Sequence, residues 1–172
     1  GVQTCALPIC MPVDGDGVAS PANTPASPAN GINPDGGINA GGTASGVSGA
    51  AYTNSVAGTT ITTLYALSEA GSQLTIQNQP NAGTQTLPLT VRLNGATLTF
   101  TSVNGFDIPS DVRASASNAA VTSGSGFAAL TVGGVTGLYR IDLATGAASN
   151  LGAIGMGTSG LRGLAVGQTH AR

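Results

Sequence analysis

Seven carboxylates, five arginines, one histidine and two cysteines are the strongly reactive side chains of this 172-residue chain, which has no lysine. A nucleophile–base pair would have to use His170, and that residue follows the last apolar run, where an exposed tail is expected. Cys5 and Cys10 have four residues between them and no His or Asp beside them, a poor metal pair. Asp14 and Asp16 alternate with glycine as in a calcium loop, but Ala19 and Pro21 stand where further oxygen ligands are needed. Gly152–Gly160 is rich in glycine yet lacks the lysine and helix of a phosphate loop. Glu69, Asp35, Asp111 and Asp142 are scattered, and nothing in their spacing pairs two acids for general acid–base work. Asp107 is different, an acid inside the apolar run Gly105–Ile108. It could line a channel as a metal or substrate ligand. The favoured reading is a strand-end acid bonded to neighbouring backbone or to Arg113. Arg140 and Asp142 alternate along one strand and read as a solvated pair worth little. No catalytic, cofactor-binding or metal site is assigned, and the balance leans away from an enzyme.

The elements that would position such residues are short. Charged residues make up 7% of the chain, against about 25% in an ordinary globular protein. The net charge of −2 leaves no electrostatic footprint for nucleic acid. No apolar run approaches the roughly 18–20 residues of a membrane helix. Gly, Ala, Ser, Thr and Asn dominate, a mixture suited to strands and turns. Pro12–Ser48 carries Pro21, Pro25, Pro28 and Pro34 among Asn-Gly and Asp-Gly pairs, so residues 11–48 read as a long loop or a disordered stretch.

Strand signals begin after it. Thr59–Leu67 alternates with period two, placing Ile61, Thr63, Tyr65 and Leu67 on one face, and with Ala50–Asn54 it predicts an antiparallel hairpin. Leu87, Leu89, Val91 and Leu93 alternate into Asn94-Gly95, and Ala96, Leu98 and Phe100 alternate out. That arrangement predicts a two-residue turn with six side chains, Leu89 to Phe100, sharing a face. Pro88 marks an edge strand. Ser110–Asn118 could hold one helical turn capped by Ser110. Phe127–Val166 reads as four strands, the third at Ala147–Ile154 and the fourth at Leu161–Val166, with a turn at Asp142–Gly146.

This last stretch repeats an earlier one. Ala128-Ala129-Leu130-Thr131 answers Ala50-Ala51-Tyr52-Thr53, and Leu138-Tyr139 answers Leu64-Tyr65, at offsets of 78 and 74 residues. Gly163–Val166 closes the second unit as Gly105–Ile108 closes the first. Four short strands in about 40 residues is the size of a propeller blade. The expected fold is therefore all-β, with antiparallel strands in a partial β-propeller of about two blades. The expected division is 49–166 for the β domain, with units near 49–108 and 127–166, and 167–172 as a tail.

Two resemblances bear on these residues. Gly1–Ile9, GVQTCALPI, resembles the translated read-through of a sequencing adapter, so residues 1–10 are set aside from fold reasoning. The pieces AAYTNSVAGTTITTLYALS, QNQPNAGTQT, SVNGFDI, GFAALTVGGVTGLYRIDLATGAASNLGAIG and LRGLAV resemble the C-terminal part of a bacterial family of unknown function, the domain of unknown function 4394 family. The resemblance runs roughly from Met11 to Val166. It implies a propeller-like domain whose earlier blades are absent, and it carries no catalytic residues. It also implies export to the periplasm or outside the cell, in keeping with the lysine-free, Thr/Asn/Gly-rich composition. The expected role is a binding or structural module. Its partner is unknown, with a protein or a cell-surface glycan as the open choices, and neither nucleic acid nor a membrane span is expected. Rival readings are a metal-dependent propeller hydrolase or lyase with its site in missing blades, and a β-solenoid adhesin stalk. The second predicts a short constant rung of about 20–30 residues, which the longer offset disfavours.

Overall fold

Residues 46–78, 83–158 and 161–167 are described by a computed structural model. Both cysteines, Asp14, Asp16, Asp35 and His170 lie outside them, with residues 1–10 and most of the 11–48 stretch. Among the described residues every regular element is a strand, in agreement with the all-β expectation. Strands β1 (Val47–Tyr52), β2 (Leu64–Ser68), β3 (Gln73–Gln77) and β4 (Gln85–Thr90) form an antiparallel meander in chain order. A second meander runs β7 (Ser102–Asp107), β8 (Ser125–Val132), β9 (Val135–Asp142) and β10 (Ala147–Ala153). Between the two in sequence, the small hairpin of β5 (Arg92–Leu93) and β6 (Ala96–Thr97) joins the outer edge of β10, with β5 parallel to it.

Local chemistry explains most of these boundaries. Asn94 and Gly95 take φ of 51° and 83°, the primed turn that matches strand twist, and Leu93 faces Ala96 across it. Val91, Leu98 and Phe100 are buried as expected, and the Leu98 N–H donates to the Val91 carbonyl at 2.9 Å. The hairpin ends there. Leu89 turns away to pair with Leu74 on β3, so it does not face Phe100, and Ala96 is exposed at the tip. Pro88 lies in β4, an edge strand of the first sheet, where its missing N–H costs no ladder bond.

Three expectations fail. The strand expected from Thr59 starts only at Leu64, because the Thr59 hydroxyl bonds the Ile61 carbonyl at 2.9 Å and holds the chain in a loop. Once formed, β2 is buried along its whole length, with both faces covered. Ser110–Asn118 makes no helix; a turn closes from the Val112 N–H to the Pro109 carbonyl at 3.0 Å. Leu161–Val166 is not a strand but an irregular segment lying against β7.

The sheets meet at their first strands. A Cβ on Gly49 of β1 would stand 2.6 Å from Val103 Cγ1 and 3.1 Å from Phe106 Cβ on β7. One on Gly105 of β7 would stand 2.5 Å from the Leu164 nitrogen and 2.8 Å from the Gly163 carbonyl carbon. Both strands carry a register irregularity at the residue before the glycine, between Val47 and Gly49 and between Val103 and Gly105. Val47-Ser48-Gly49-Ala50 and Val103-Asn104-Gly105-Phe106 are thus one motif in two sheets. Leu161-Arg162-Gly163-Leu164 has a similar residue order outside any strand, with the three glycines 56 and 58 residues apart. Gly105–Ile108, expected to close the first unit, therefore opens the second sheet instead.

Tyr65, Leu67, Leu74 and Ile76 of the first sheet share one buried cluster with Phe106, Leu130, Tyr139 and Ile141 of the second and with Leu143 just after β9. The glycines let the first strands come close enough to close it. Gly105→Ala should lower stability by about 1–3 kcal/mol, because the atoms in its way are backbone and cannot rotate aside. Thermal unfolding checks this, and an unchanged midpoint would mean that Leu161–Val166 does not rest on β7.

Candidate functional site

Among the described residues, Asp107 and Asp142 hold backbone. Asp107 Oδ1 accepts the Ile108 N–H at 2.9 Å, and Oδ2 accepts the Val166 N–H at 2.6 Å. Its carboxylate therefore fastens Leu161–Val166 to the end of β7, a backbone role like the one favoured for it, with no contact to Arg113 needed. Asp142 Oδ1 accepts from the Ala144 and Thr145 N–H groups at 3.0 and 2.9 Å and from the Thr145 hydroxyl at 2.8 Å. It shapes the turn that ends at Gly146, whose φ is 76°, rather than forming a solvated pair with Arg140. Glu69 accepts the Ser48 hydroxyl. Among the described residues no three His, Cys, Asp or Glu side chains are placed to hold a metal ion.

The built feature is elsewhere, where two long connections are laced together. Residues 53–63 join β1 to β2, and residues 108–124 join β7 to β8. Asn54 lies at their centre, buried and with a φ of 55°. Its N–H donates to the Val112 carbonyl at 3.0 Å. Its side-chain amide donates to the Ala114 carbonyl at 3.1 Å and accepts the Ala114 N–H at 2.7 Å. Further out, the Thr63 hydroxyl donates to the Ala119 carbonyl at 2.7 Å, and the Asn118 N–H donates to the Thr62 carbonyl at 3.0 Å. The Tyr65 hydroxyl accepts the Val121 N–H at 2.9 Å. Burial pushes the Tyr65 phenol pKa up, and the bond from Val121 draws it partly back. These bonds account for the missing helix, since the backbone groups it would need are committed to the other loop.

A left-handed backbone at a non-glycine residue costs about 1–3 kcal/mol and persists only when its surroundings fix it. Asparagine tolerates that conformation better than most residues, and its amide can satisfy both polar groups of one partner peptide. The laced wall borders a solvent-open depression of about 570 Å³, lined by Tyr52, Thr53, Asn54, Ser55, Val56, Ala57, Thr59 and Thr62. Apart from the Tyr52 phenol, no lining side chain is ionisable. Its lining holds no carboxylate, histidine, arginine or cysteine. In sequence Asn54 reads only as the end of the first strand of an expected hairpin. The signal available was an asparagine after a strand, which allows a positive φ but does not name the long-range partner.

Asn54→Ala should cost about 2–4 kcal/mol, since it leaves the buried N–H and carbonyl of Ala114 unpaired and removes the residue best suited to the turn. Urea unfolding measures it, with Asn54→Gly recovering only the backbone part. Asp107→Ala should release the Val166 N–H to exchange at least tenfold faster while amides of β8 and β9 keep their protection, as read by amide hydrogen exchange. Adding calcium or zinc to the unaltered chain should leave its unfolding midpoint in place, and a metal-dependent rise would return Asp107 to the ligand reading.

No curated protein and no solved structure matches the chain. The family model described as Domain of unknown function (DUF4394) matches residues 23–165, a span that takes in both meanders, the laced connections and all but the last residue of the segment held by Asp107. By that match the chain belongs to the DUF4394 family.

Proposed function

We propose that this chain is a non-catalytic binding or structural module, built as part of a propeller-like ring and exported from a bacterial cell. The observation that carries the ring is the close approach at two glycines, where β1 receives β7 at Gly49 and β7 receives Leu161–Val166 at Gly105. In a radial array each sheet leans on its neighbour in this way, and Leu161–Val166 stands where a third sheet would begin. A spacing of 56 and 58 residues is far from the rung of a solenoid stalk. Support for a module without catalysis comes from Asp107 and Asp142, which hold backbone at the ends of two different strands. Export rests on the family resemblance and the lysine-free composition.

Hydrogen exchange on this chain, and on the same chain extended within its genomic reading frame, tests the ring. Added sheets should slow exchange at Leu161–Val166 by at least a hundredfold and raise the unfolding midpoint. Equal exchange in both would sink the ring. Immunodetection in cell fractions tests export, and a purely cytosolic signal would remove it.

A further inference from the structure

We propose that Asn94-Gly95 is a covalent modification site, where loss of ammonia from the Asn94 side chain unfastens the β5–β6 hairpin from the second sheet. The Gly95 backbone nitrogen attacks the side-chain carbonyl carbon of Asn94 and forms a C–N bond. The amide nitrogen leaves as ammonia, carrying away the proton that Gly95 gives up. Water then opens the cyclic imide at either carbonyl. One opening yields aspartate, and the other yields isoaspartate, with the chain rerouted through the side chain. Nothing is oxidised or reduced, and water is the one co-reactant.

Two Asn-Gly pairs lie among the described residues, and the structure separates them. Asn94 and Gly95 are both exposed at a hairpin tip, and a Cβ on Gly95 would meet nothing within 4 Å. Among the described residues no group bonds the Asn94 side chain or the Gly95 N–H; the Arg92 guanidinium reaches the Gly95 carbonyl instead, at 3.3 Å. Attack requires rotation about the Asn94 Cα–C bond, a local opening that a two-residue tip can make without disturbing the core. Asn104-Gly105 has no such freedom. The Asn104 amide donates to the Thr131 hydroxyl at 2.9 Å, and its carbonyl oxygen accepts the Ser102 hydroxyl at 3.3 Å. Gly105 pairs with Ala129 and lies so close under Leu164 that a Cβ would stand 2.5 Å from a backbone nitrogen.

Conversion changes the turn in two ways. Either product places a new negative charge at the tip. Isoaspartate also adds a further atom to the backbone of a turn whose length sets the register of its strands. Ala96 then no longer faces Leu93, and β5 loses the geometry with which it meets β10. Its hold there is slight, two residue pairs and the Arg92 N–H on the Gly146 carbonyl at 3.0 Å. Released, it bares the outer edge of β10 at Ala147-Ala148, an edge able to pair with another chain.

Incubation of the full chain at mildly alkaline pH, followed by fragmentation mass spectrometry of its tryptic peptides, tests the site. Asn94 should convert while Asn104 stays intact, each located by the fragments that gain an oxygen in place of an NH. Asn30-Gly31, outside the described residues, falls in another tryptic peptide because Arg92 separates it from both. In the converted chain, isolated by its added charge, the Arg92 N–H should exchange roughly tenfold faster or more while β8 and β9 keep their protection. Asn94→Gly suits the turn and has no amide to lose, so its Arg92 N–H should stay protected through the same incubation. An intact Asn94, or an Asn104 that converts as fast, would overturn the site. An Arg92 N–H equally protected after conversion would overturn the unfastening.

Discussion

Everything at one end of this protein depends on a single side-chain amide. Asn54 pairs both of its polar atoms with the backbone of Ala114, and its own N–H reaches Val112, so one residue ties the first connection of one sheet to the first connection of the next. Each of these groups is buried, where an unmade bond costs more than a made one contributes. Long connections without secondary structure of their own are ordinarily loose. Here each loop serves as the other's hydrogen-bonding partner, and Thr63, Asn118 and Tyr65 extend the same arrangement toward the core. The depression beside Tyr52 inherits its shape from that exchange.

At the first strands the constraint is the reverse, a demand for the absence of atoms. Gly49 and Gly105 leave room for the neighbouring chain to approach within distances that a methyl group would forbid. The irregularity one residue earlier in each strand re-aims the backbone at the point of approach. Asp107 then locks the approach from the side by taking the Val166 N–H. Polar lacing at the loops and close packing at the strands are independent devices, and together they hold sheets that share no ladder hydrogen bonds.

What sequence could and could not reveal follows from the range of each interaction. The Asn94-Gly95 turn and the Asp142–Gly146 turn are settled within five residues, so their residue types were enough. Pro88 marked its edge because a missing N–H is a local fact. The helical turn at Ser110–Asn118 was a fair local expectation, defeated by partners some 56–60 residues away. Alternation at Thr59–Leu67 could not tell loop from strand, because threonine suits both. The sequence match of Ala-Ala-Tyr-Thr with Ala-Ala-Leu-Thr sets β1 beside β8, whereas the two sheets touch through β1 and β7, at a glycine that carries no side chain for a pattern to catch. In the candidate site, the residue types of the depression were visible, but their convergence was not.

The placement of β5 and β6 has a consequence for how the chain folds. After β4 the chain crosses to the outer edge of β10 and only then returns to begin β7 at the opposite edge of the same sheet. Pairing Arg92 with Ala147 closes a long loop around four intervening strands, a step whose entropy must be met before its bonds exist. The hairpin at Asn94-Gly95 closes over two residues and so needs no distant partner. Its pairing covers β10 along part of the edge that would otherwise invite another chain.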